Sequence, residues 1–222
     1  MSITSPQPAI LFDLDETLVD RCGGLRRFAH RLWQARKPDM DKQAFVSLFI
    51  EIDEKGHTPR PEFFARFCAQ ALPDEVPEAL SAYFYSTAWH ESSLFPDAEM
   101  CLRTLRERGY RIGIVSNGTT GTQNTKIKCS VLPELVDSIV ISETVGYEKP
   151  DPRIYQHALS ELGAETQSTW FIGDNPEADV LGAHASGITP IWIERHLAWP
   201  DHAPRSYSAR ISSLSEVLDV LP

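Results

Sequence analysis

The stretch that decides the fold is AILFDLDETLVD, residues 9–20. Four apolar residues at its start, 9–12, run directly into the acidic residues Asp13 and Asp15. An unbroken apolar run that ends in polar residues is typical of a strand buried on both faces of a sheet. Because alternate residues of an extended chain point the same way, both acids should project to one side of the strand end. The sequence therefore predicts a buried strand that brings two carboxylates to one place.

The C-terminal part of the chain repeats this apolar pattern at regular intervals. After residue 93, short apolar runs rich in β-branched residues alternate with amphipathic stretches. This alternation predicts an α/β fold with a doubly wound parallel-sheet, Rossmann-like core. The predicted strands cover 8–14, 110–116, 136–142, 168–174, 188–194 and 209–212, and the predicted helices cover 97–108, 121–131, 151–162, 176–186 and 213–221.

Residues 20–92 have a different composition. They are rich in Phe, Trp, Tyr, Arg and Ala, and proline-containing breaks separate their amphipathic stretches. This pattern predicts about four helices joined by proline-marked turns. We therefore expect a helical domain over 20–92, inserted into a catalytic core that spans 1–19 and 93–222.

Composition limits the classes of partner. The chain has 222 residues, 42% of them hydrophobic, and a formal net charge of -10. This charge, without a Lys/Arg-rich block, disfavours a nucleic-acid polymer or an anionic membrane as a partner. No apolar run approaches the roughly 20 residues that span a bilayer. The cysteines lack the paired spacing of a zinc site. We expect a soluble cytoplasmic protein with reduced thiols at Cys22, Cys68, Cys101 and Cys129.

Polar residues follow several predicted strands. In a doubly wound sheet, ligands bind at the carboxyl ends of the strands, so these residues should meet at one edge. Clustered carboxylates are costly to bury unless a divalent cation lies among them, and Mg²⁺ accepts carboxylates while keeping positions for water and phosphate oxygens. A hydroxyl, a lysine and the N–H groups at the start of the helix after 117–121 suit an anion. The residues expected at this edge are Asp13, Asp15, Ser116, Asn117, Lys149, Asp174 and Asp179.

The two leading acids can divide the work of phosphoryl transfer. Asp13 could attack phosphorus as a nucleophile, because Mg²⁺ and Lys149 would screen the repulsion between carboxylate and phosphate. Asp15 could protonate the leaving oxygen and then activate the water that cleaves the aspartyl phosphate. The pattern thus predicts a reaction on a phosphate ester.

Four motifs together resemble a known family. DLDET, VSNG, YEKPDP and GDNPEAD follow the appropriate strands in the appropriate order. In these motifs the sequence resembles the haloacid dehalogenase superfamily, in its capped, aspartate-nucleophile phosphatase branch. The resemblance extends from about Pro8 to Leu221 and is weak across the inserted helices. It implies that the insertion is a helical cap that closes over a small substrate.

The resemblance also implies roles for individual residues. Asp13 would be the nucleophile and Asp15 the general acid and base, while Ser116 and Lys149 would bind phosphate. Asn117 is expected to bind substrate on the separate ground that its loop opens a helix with free N–H groups. The metal ligands implied by the family are the carboxylates of Asp13 and Asp174 and the backbone carbonyl of Asp15, with Asp179 in support behind them.

Several readings of the sequence stay open. The motifs favour a phosphatase of a small phosphorylated metabolite, yet a phosphomutase shares all of them. A non-catalytic phosphate-binding regulatory protein would be expected to have lost one of the key acids or the lysine. Dehalogenases of the superfamily look unlike this chain at Asp15. In the insertion, Arg21, His57 and Arg60 could contact the far end of the substrate or belong to an exposed helix connection. The sequence leaves the particular ester and the oligomeric state open.

Overall fold

The core of the protein is a parallel β-sheet. The computed structural model describes residues 7–36 and 38–222, apart from the side chain of Glu91. Within these residues, six strands pair in parallel in the order β3-β2-β1-β4-β5-β6. The strands are β1 (Ala9–Phe12), β2 (Arg111–Ser116), β3 (Ser138–Ile141), β4 (Thr169–Gly173), β5 (Thr189–Ile193) and β6 (Ala209–Ile211).

Strand β1 lies in the middle of this sheet. All of its residues are fully buried, as the unbroken apolar run predicted. Phe12 pairs with Ile114 of β2 on one side and with Ile172 of β4 on the other. The chain order reverses between β1 and β4, and a doubly wound sheet opens a ligand crevice at such a point. The residue that follows β1 therefore lies at the natural binding edge of the sheet.

The chain divides into two compact units. One comprises the chain up to Val19 together with Leu94–Pro222, and the other is Asp20–Ser93. The second unit is helical, as its composition predicted. Its helices are α1 (Arg21–Arg36), α2 (Lys42–Asp53), α3 (Arg60–Ala71) and α4 (Pro77–Thr87).

The helical unit has its own aromatic core. Phe49 of α2 is fully buried, and its ring centroid lies 4.8 Å from that of Phe63 and 4.9 Å from that of Phe67, in edge-on contacts. Edge-to-face pairs of this kind add stabilisation beyond the burial of their area. The abundance of phenylalanine in this stretch of the sequence therefore reflects a core separate from that of the sheet.

A buried carboxylate lies at the end of α2. Asp53 accepts hydrogen bonds from Arg21 Nη2 at 2.8 Å and from Arg60 Nη1 at 2.9 Å. The turn that follows is left-handed at three successive residues, Glu54, Lys55 and Gly56 (54–56; φ 48°, 59° and 93°). Arg21 and Arg60, which the sequence offered as possible substrate contacts, are thus ion-paired within the helical unit. The third candidate, His57, is exposed.

Helices cover both faces of the sheet. Side chains of β1 alternate, so Ile10 and Phe12 join the apolar layer under α5 while Ala9 and Leu11 join the layer under α9. This double coverage confirms the predicted fold class. The helices of this unit are α5 (Ala98–Glu107), α6 (Thr120–Lys128), α7 (Leu132–Leu135), α8 (Ser142–Val145), α9 (Pro152–Leu162), α10 (Gly182–Ala185) and α11 (Val217–Val220). Across the described residues, no helix combines the length and the apolar character needed to cross a membrane.

One predicted helix has a different form. The stretch 176–186 is a π-helical turn, Pro176–Leu181, followed by the short α10. The carbonyl of Asn175 accepts hydrogen bonds from the N–H groups of both Asp179 and Val180, which widens the turn. Such turns are frequent at functional sites.

The aromatic core of the helical unit can be tested with Phe49→Ala. The substitution leaves a cavity among four contacting rings, so we expect the free energy of unfolding to fall by about 3–5 kcal/mol. Tyr85→Ala is the control, because Tyr85 is 44% exposed. This substitution should lower the free energy of unfolding by less than about 1 kcal/mol. Urea unfolding followed by circular dichroism measures both. Equal unfolding midpoints for Phe49→Ala and the wild type would contradict this account of the core.

Candidate active site

Asp13 meets a buried lysine at the end of β1. Its backbone N–H donates to the carbonyl of Ile172 at 2.9 Å, which extends the β1–β4 pairing by one residue. The Nζ atom of Lys149 lies 2.7 Å from Oδ1 of Asp13 and 2.7 Å from Oδ1 of Asp179. Lys149 is only 4% exposed. Burial alone would lower the pKa of Lys149, but the two carboxylates raise it above its ordinary value. The lysine therefore stays charged between two acids.

A third acid completes this cluster. Asp174 follows β4, and each of Asp13, Asp174 and Asp179 offers a carboxylate oxygen within 4.8 Å of the others. Burial raises the pKa of Asp174 to about 9, with further contributions from the other two carboxylates. Burial also raises the pKa of Asp13 to about 7, although Lys149 opposes the shift. One ammonium does not balance three buried carboxylates, so the donor set fits a hard divalent cation.

The main-chain geometry around Asp174 brings it to the cluster. Trp192 Nε1 donates to the carbonyl of Asp174 at 3.0 Å, and the N–H of Asn175 donates to Oδ2 of Asp179 at 2.9 Å. A side chain at Gly173 would overlap the carboxylate of Asp179, so only glycine fits there. The π-helical turn thus folds Asp179 back beneath Asp174. Trp192 is a site residue that strand patterning alone did not indicate.

Asn117 holds the loop that carries Lys149. Its Nδ2 donates to the carbonyl of Lys149 at 2.9 Å, and the N–H of Lys149 donates back to Asn117 Oδ1 at 2.8 Å. This reciprocal pair fixes the Lys149 backbone against the end of β2. The Asn117 side chain is therefore engaged in positioning Lys149.

The loop before α6 differs from the sequence expectation. Its N–H groups were expected to hold an anion, but the N–H of Gly118 donates to Ser142 Oγ at 3.0 Å. The N–H of Thr120 donates to Glu143 Oε2 at 2.7 Å. These two donors already have acceptors from α8 within the protein. The expectation that these two N–H groups hold an anion is therefore not supported, because both are used within the protein.

Asp15 lies against a different pair of residues. Lys126 Nζ is 2.7 Å from both of its carboxylate oxygens, and Gln123 Nε2 donates to its Oδ2 at 2.9 Å. Gln123 also donates to Ser116 Oγ at 2.7 Å, which links the two predicted site residues. Gln123 and Lys126 were not predicted from the sequence. One feature of the sequence could have indicated them. They are polar residues three positions apart on a helix that starts beside the site, and residues with this spacing share one helix face.

The turn that follows Asp15 is tightly closed. Glu16 has a left-handed backbone, with φ 61°, and its N–H donates to the carbonyl of Val19 at 2.8 Å. The N–H groups of Leu18 and Val19 both donate to the carbonyl of Leu14. His196 Nε2 lies 3.0 Å from Glu16 Oε2. These contacts fix the backbone directly after the second acid.

Sequence and structure comparisons relate this geometry to known proteins. The profile of the family described as haloacid dehalogenase-like hydrolase matches residues 10–193. A phosphoserine phosphatase of Thermus thermophilus is 32% identical over 149 residues, which are 67% of this chain and 59% of that protein. A ribulose-1,5-bisphosphate 5-phosphatase of Halopiger xanaduensis is 31% identical over 84% of each chain. A crystal structure of a dehalogenase is similar with a TM-score of 0.71 and 26% identity, over 99% of each chain.

The buried acids should make the metal-free protein less stable at high pH. The folded-state pKa values of Asp13 and Asp174 lie above the ordinary 3.8, so the folded protein binds more protons than the unfolded chain up to about pH 9. The free energy of unfolding should therefore fall as pH rises from 6 to 9. In EDTA, the free energy of unfolding of Asp174→Asn should fall less between pH 6 and pH 9 than that of the wild type. We expect the two decreases to differ by on the order of 1–3 kcal/mol.

Urea unfolding at pH 6 and pH 9 measures this difference. Glu177→Gln is the control, because Glu177 is an exposed acid in the same segment and should keep the wild-type dependence. The same pH dependence in Asp174→Asn and the wild type would contradict the account of the acidic cluster.

Proposed function

The chain belongs to the haloacid dehalogenase-like hydrolase family, and from this premise we propose that it is a Mg²⁺-dependent phosphatase. Its substrate would be a small phosphomonoester, hydrolysed through an aspartyl phosphate on Asp13. The observation that carries the proposal is the contact of 2.7 Å between Asp13 and the buried Lys149 at the point where the strand order reverses. The similarity to a phosphoserine phosphatase and a bisphosphate phosphatase supports a phosphate ester as the substrate.

Asp13 is the nucleophile in this proposal. A carboxylate oxygen of Asp13 attacks phosphorus, the bond from phosphorus to the ester oxygen breaks, and its electron pair leaves with that oxygen. The positive charge of Lys149 reduces the repulsion between the attacking carboxylate and the phosphate. Because Lys149 is hydrogen-bonded to both Asp13 and Asp179, its ammonium is held in place before substrate arrives.

Asp15 handles the protons. It donates a proton to the leaving ester oxygen and later removes one from the water that attacks the aspartyl phosphate. The second step releases inorganic phosphate and regenerates Asp13. Asp15 follows Asp13 by two residues, so both acids start from one strand end while their carboxylates have different partners.

The phosphate and metal positions complete the proposal. Ser116 Oγ, the N–H of Asn117 and the ammonium of Lys149 would bind the phosphoryl oxygens. The carboxylates of Asp13 and Asp174 and the carbonyl of Asp15 would hold Mg²⁺, which supplies a Lewis acid that withdraws charge from the phosphoryl group. Asp179 would position Lys149 and the turn after Asp174. The helical insertion stays a predicted cap.

Competing reactions are separated by the role of Asp15. A dehalogenase releases halide, which leaves without a proton, whereas an alcohol leaving from a phosphate ester needs one. A second acid held at the site by Lys126 and Gln123 therefore favours the ester. A phosphomutase uses the same residues and would be recognised by its need for a bisphosphate activator.

The nucleophile assignment predicts the effect of Asp13→Asn. The amide is a poor nucleophile, so we expect phosphate release from a panel of small phosphomonoesters to fall by at least about 1,000-fold. The wild type should release phosphate with Mg²⁺ and lose this activity in EDTA. Thermal unfolding checks that the variant stays folded, and Asp201→Asn, at an exposed acid, is the matched control.

Three results would count against the proposal. Retention of most activity in Asp13→Asn would refute the nucleophile. Product formation only with a bisphosphate present would identify a mutase. Binding of phosphate without turnover of any ester would favour a regulatory protein on the same scaffold.

A further inference from the structure

We propose that Gln123 and Lys126 form a positioning pair that holds Asp15 in the orientation needed for proton transfer to the leaving group. This inference rests on the proposed function, in which Asp15 is the general acid. The two residues lie on α6, and neither is part of the motifs that indicate the family. They do not act on the substrate themselves.

The contacts of the pair fix the carboxylate from one side. Lys126 Nζ is 2.7 Å from each oxygen of Asp15, so the ammonium sits across the whole carboxylate. Gln123 Nε2 donates to Oδ2 at 2.9 Å, and Lys126 donates to Gln123 Oε1 at 2.8 Å. The two donors are therefore locked to each other as well as to the acid.

The burial of this pair argues for a role beyond packing. Gln123 and Lys126 are each 2% exposed, whereas the side chain of Asp15 is 23% exposed. A buried lysine is rare unless it is paired, and replacing a buried ion pair with apolar residues is often neutral or stabilising. Stability alone therefore gives little reason to bury a lysine and a glutamine on the inner face of α6.

The contacts fix the orientation of the Asp15 carboxylate, which must take up the proton it donates on the side away from Lys126. General acid catalysis requires the acid within hydrogen-bond reach of the leaving oxygen, and a displacement of about 1 Å can reduce the rate by about 100-fold. With both oxygens of Asp15 held from the α6 side, its exposed part keeps a fixed direction. Lys149 contacts one oxygen of Asp13 and one of Asp179, so Asp13 and Asp15 are paired with different lysines.

The leaving group provides the decisive test. An alkyl phosphate needs protonation of its leaving oxygen, whereas p-nitrophenolate leaves readily without it. The parameter kcat/KM reports steps up to cleavage of the ester, so it is insensitive to hydrolysis of the aspartyl phosphate. For Lys126→Met we expect kcat/KM to fall by about 100-fold with the best alkyl ester and by less than about 10-fold with p-nitrophenyl phosphate.

Further variants separate positioning from folding. Lys126→Arg keeps the charge and should recover part of the alkyl-ester activity. Gln123→Met should also lower kcat/KM more with the alkyl ester than with p-nitrophenyl phosphate, by a smaller factor. It replaces Lys126→Met in the test if that variant does not fold. Lys128→Met changes an exposed lysine on the same helix and should match the wild type.

The outcomes distinguish the possible errors. An equal loss with both esters in a folded variant would show a structural role and overturn the inference, as would unchanged kinetics. A wild type that hydrolyses neither ester nor any other phosphomonoester would instead refute the proposed function, and the inference would fall with it.

Discussion

The contact of Lys149 with Asp13 and Asp179 is the constraint on which the rest of the site depends. Both oxygens lie 2.7 Å from the ammonium, and all three side chains are buried. Removing charges from water costs several kcal/mol for each ion, and the cost is recovered only when geometry and hydrogen bonding are nearly complete. The surrounding chain must therefore hold the lysine and the acids in fixed positions. The reciprocal Asn117–Lys149 pair and the glycine at Gly173 do this through the backbone.

The acidic cluster holds more carboxylates than its one lysine can neutralise, so the metal-free protein keeps protons on the cluster. Asp174 adds a third carboxylate to the two that contact Lys149, and burial raises the pKa of Asp174 to about 9. A site selected for stability alone would not retain three buried acids around one lysine, because uncompensated buried charge is strongly destabilising. The proposed binding of a cation and a phosphate group would account for this excess. The charges of those two ligands would complete the balance.

The sequence was sufficient for features that depend on local pattern, and insufficient for those that depend on partners. The apolar run before Asp13 predicted the central strand, because a strand covered on both faces must be apolar throughout. The positions of Asp13, Lys149 and Asp174 followed from strand order. The contacts of Gln123 and Lys126 with Asp15 did not follow, because tertiary packing decides which face of α6 lies against Asp15. The π-helical turn was missed for a similar reason, since the hydrogen bonds to the Asn175 carbonyl do not follow from residue periodicity.

Two carboxylates that start from one strand end can perform different tasks only if their surroundings differ. Asp13 is buried beside Lys149 and two further acids, and burial raises its pKa to about 7 in the protein without metal. Asp15 is more exposed, lies on Lys126 and is linked through Gln123 to Ser116. Pairs of acids in unlike environments commonly divide nucleophilic and proton-transfer roles. Here the difference in surroundings has a simple physical origin, because both acids follow β1 while a loop and a helix each supply a separate lysine. The two lysines keep the carboxylates on separate partners, so neither acid has to compete with the other for a cation.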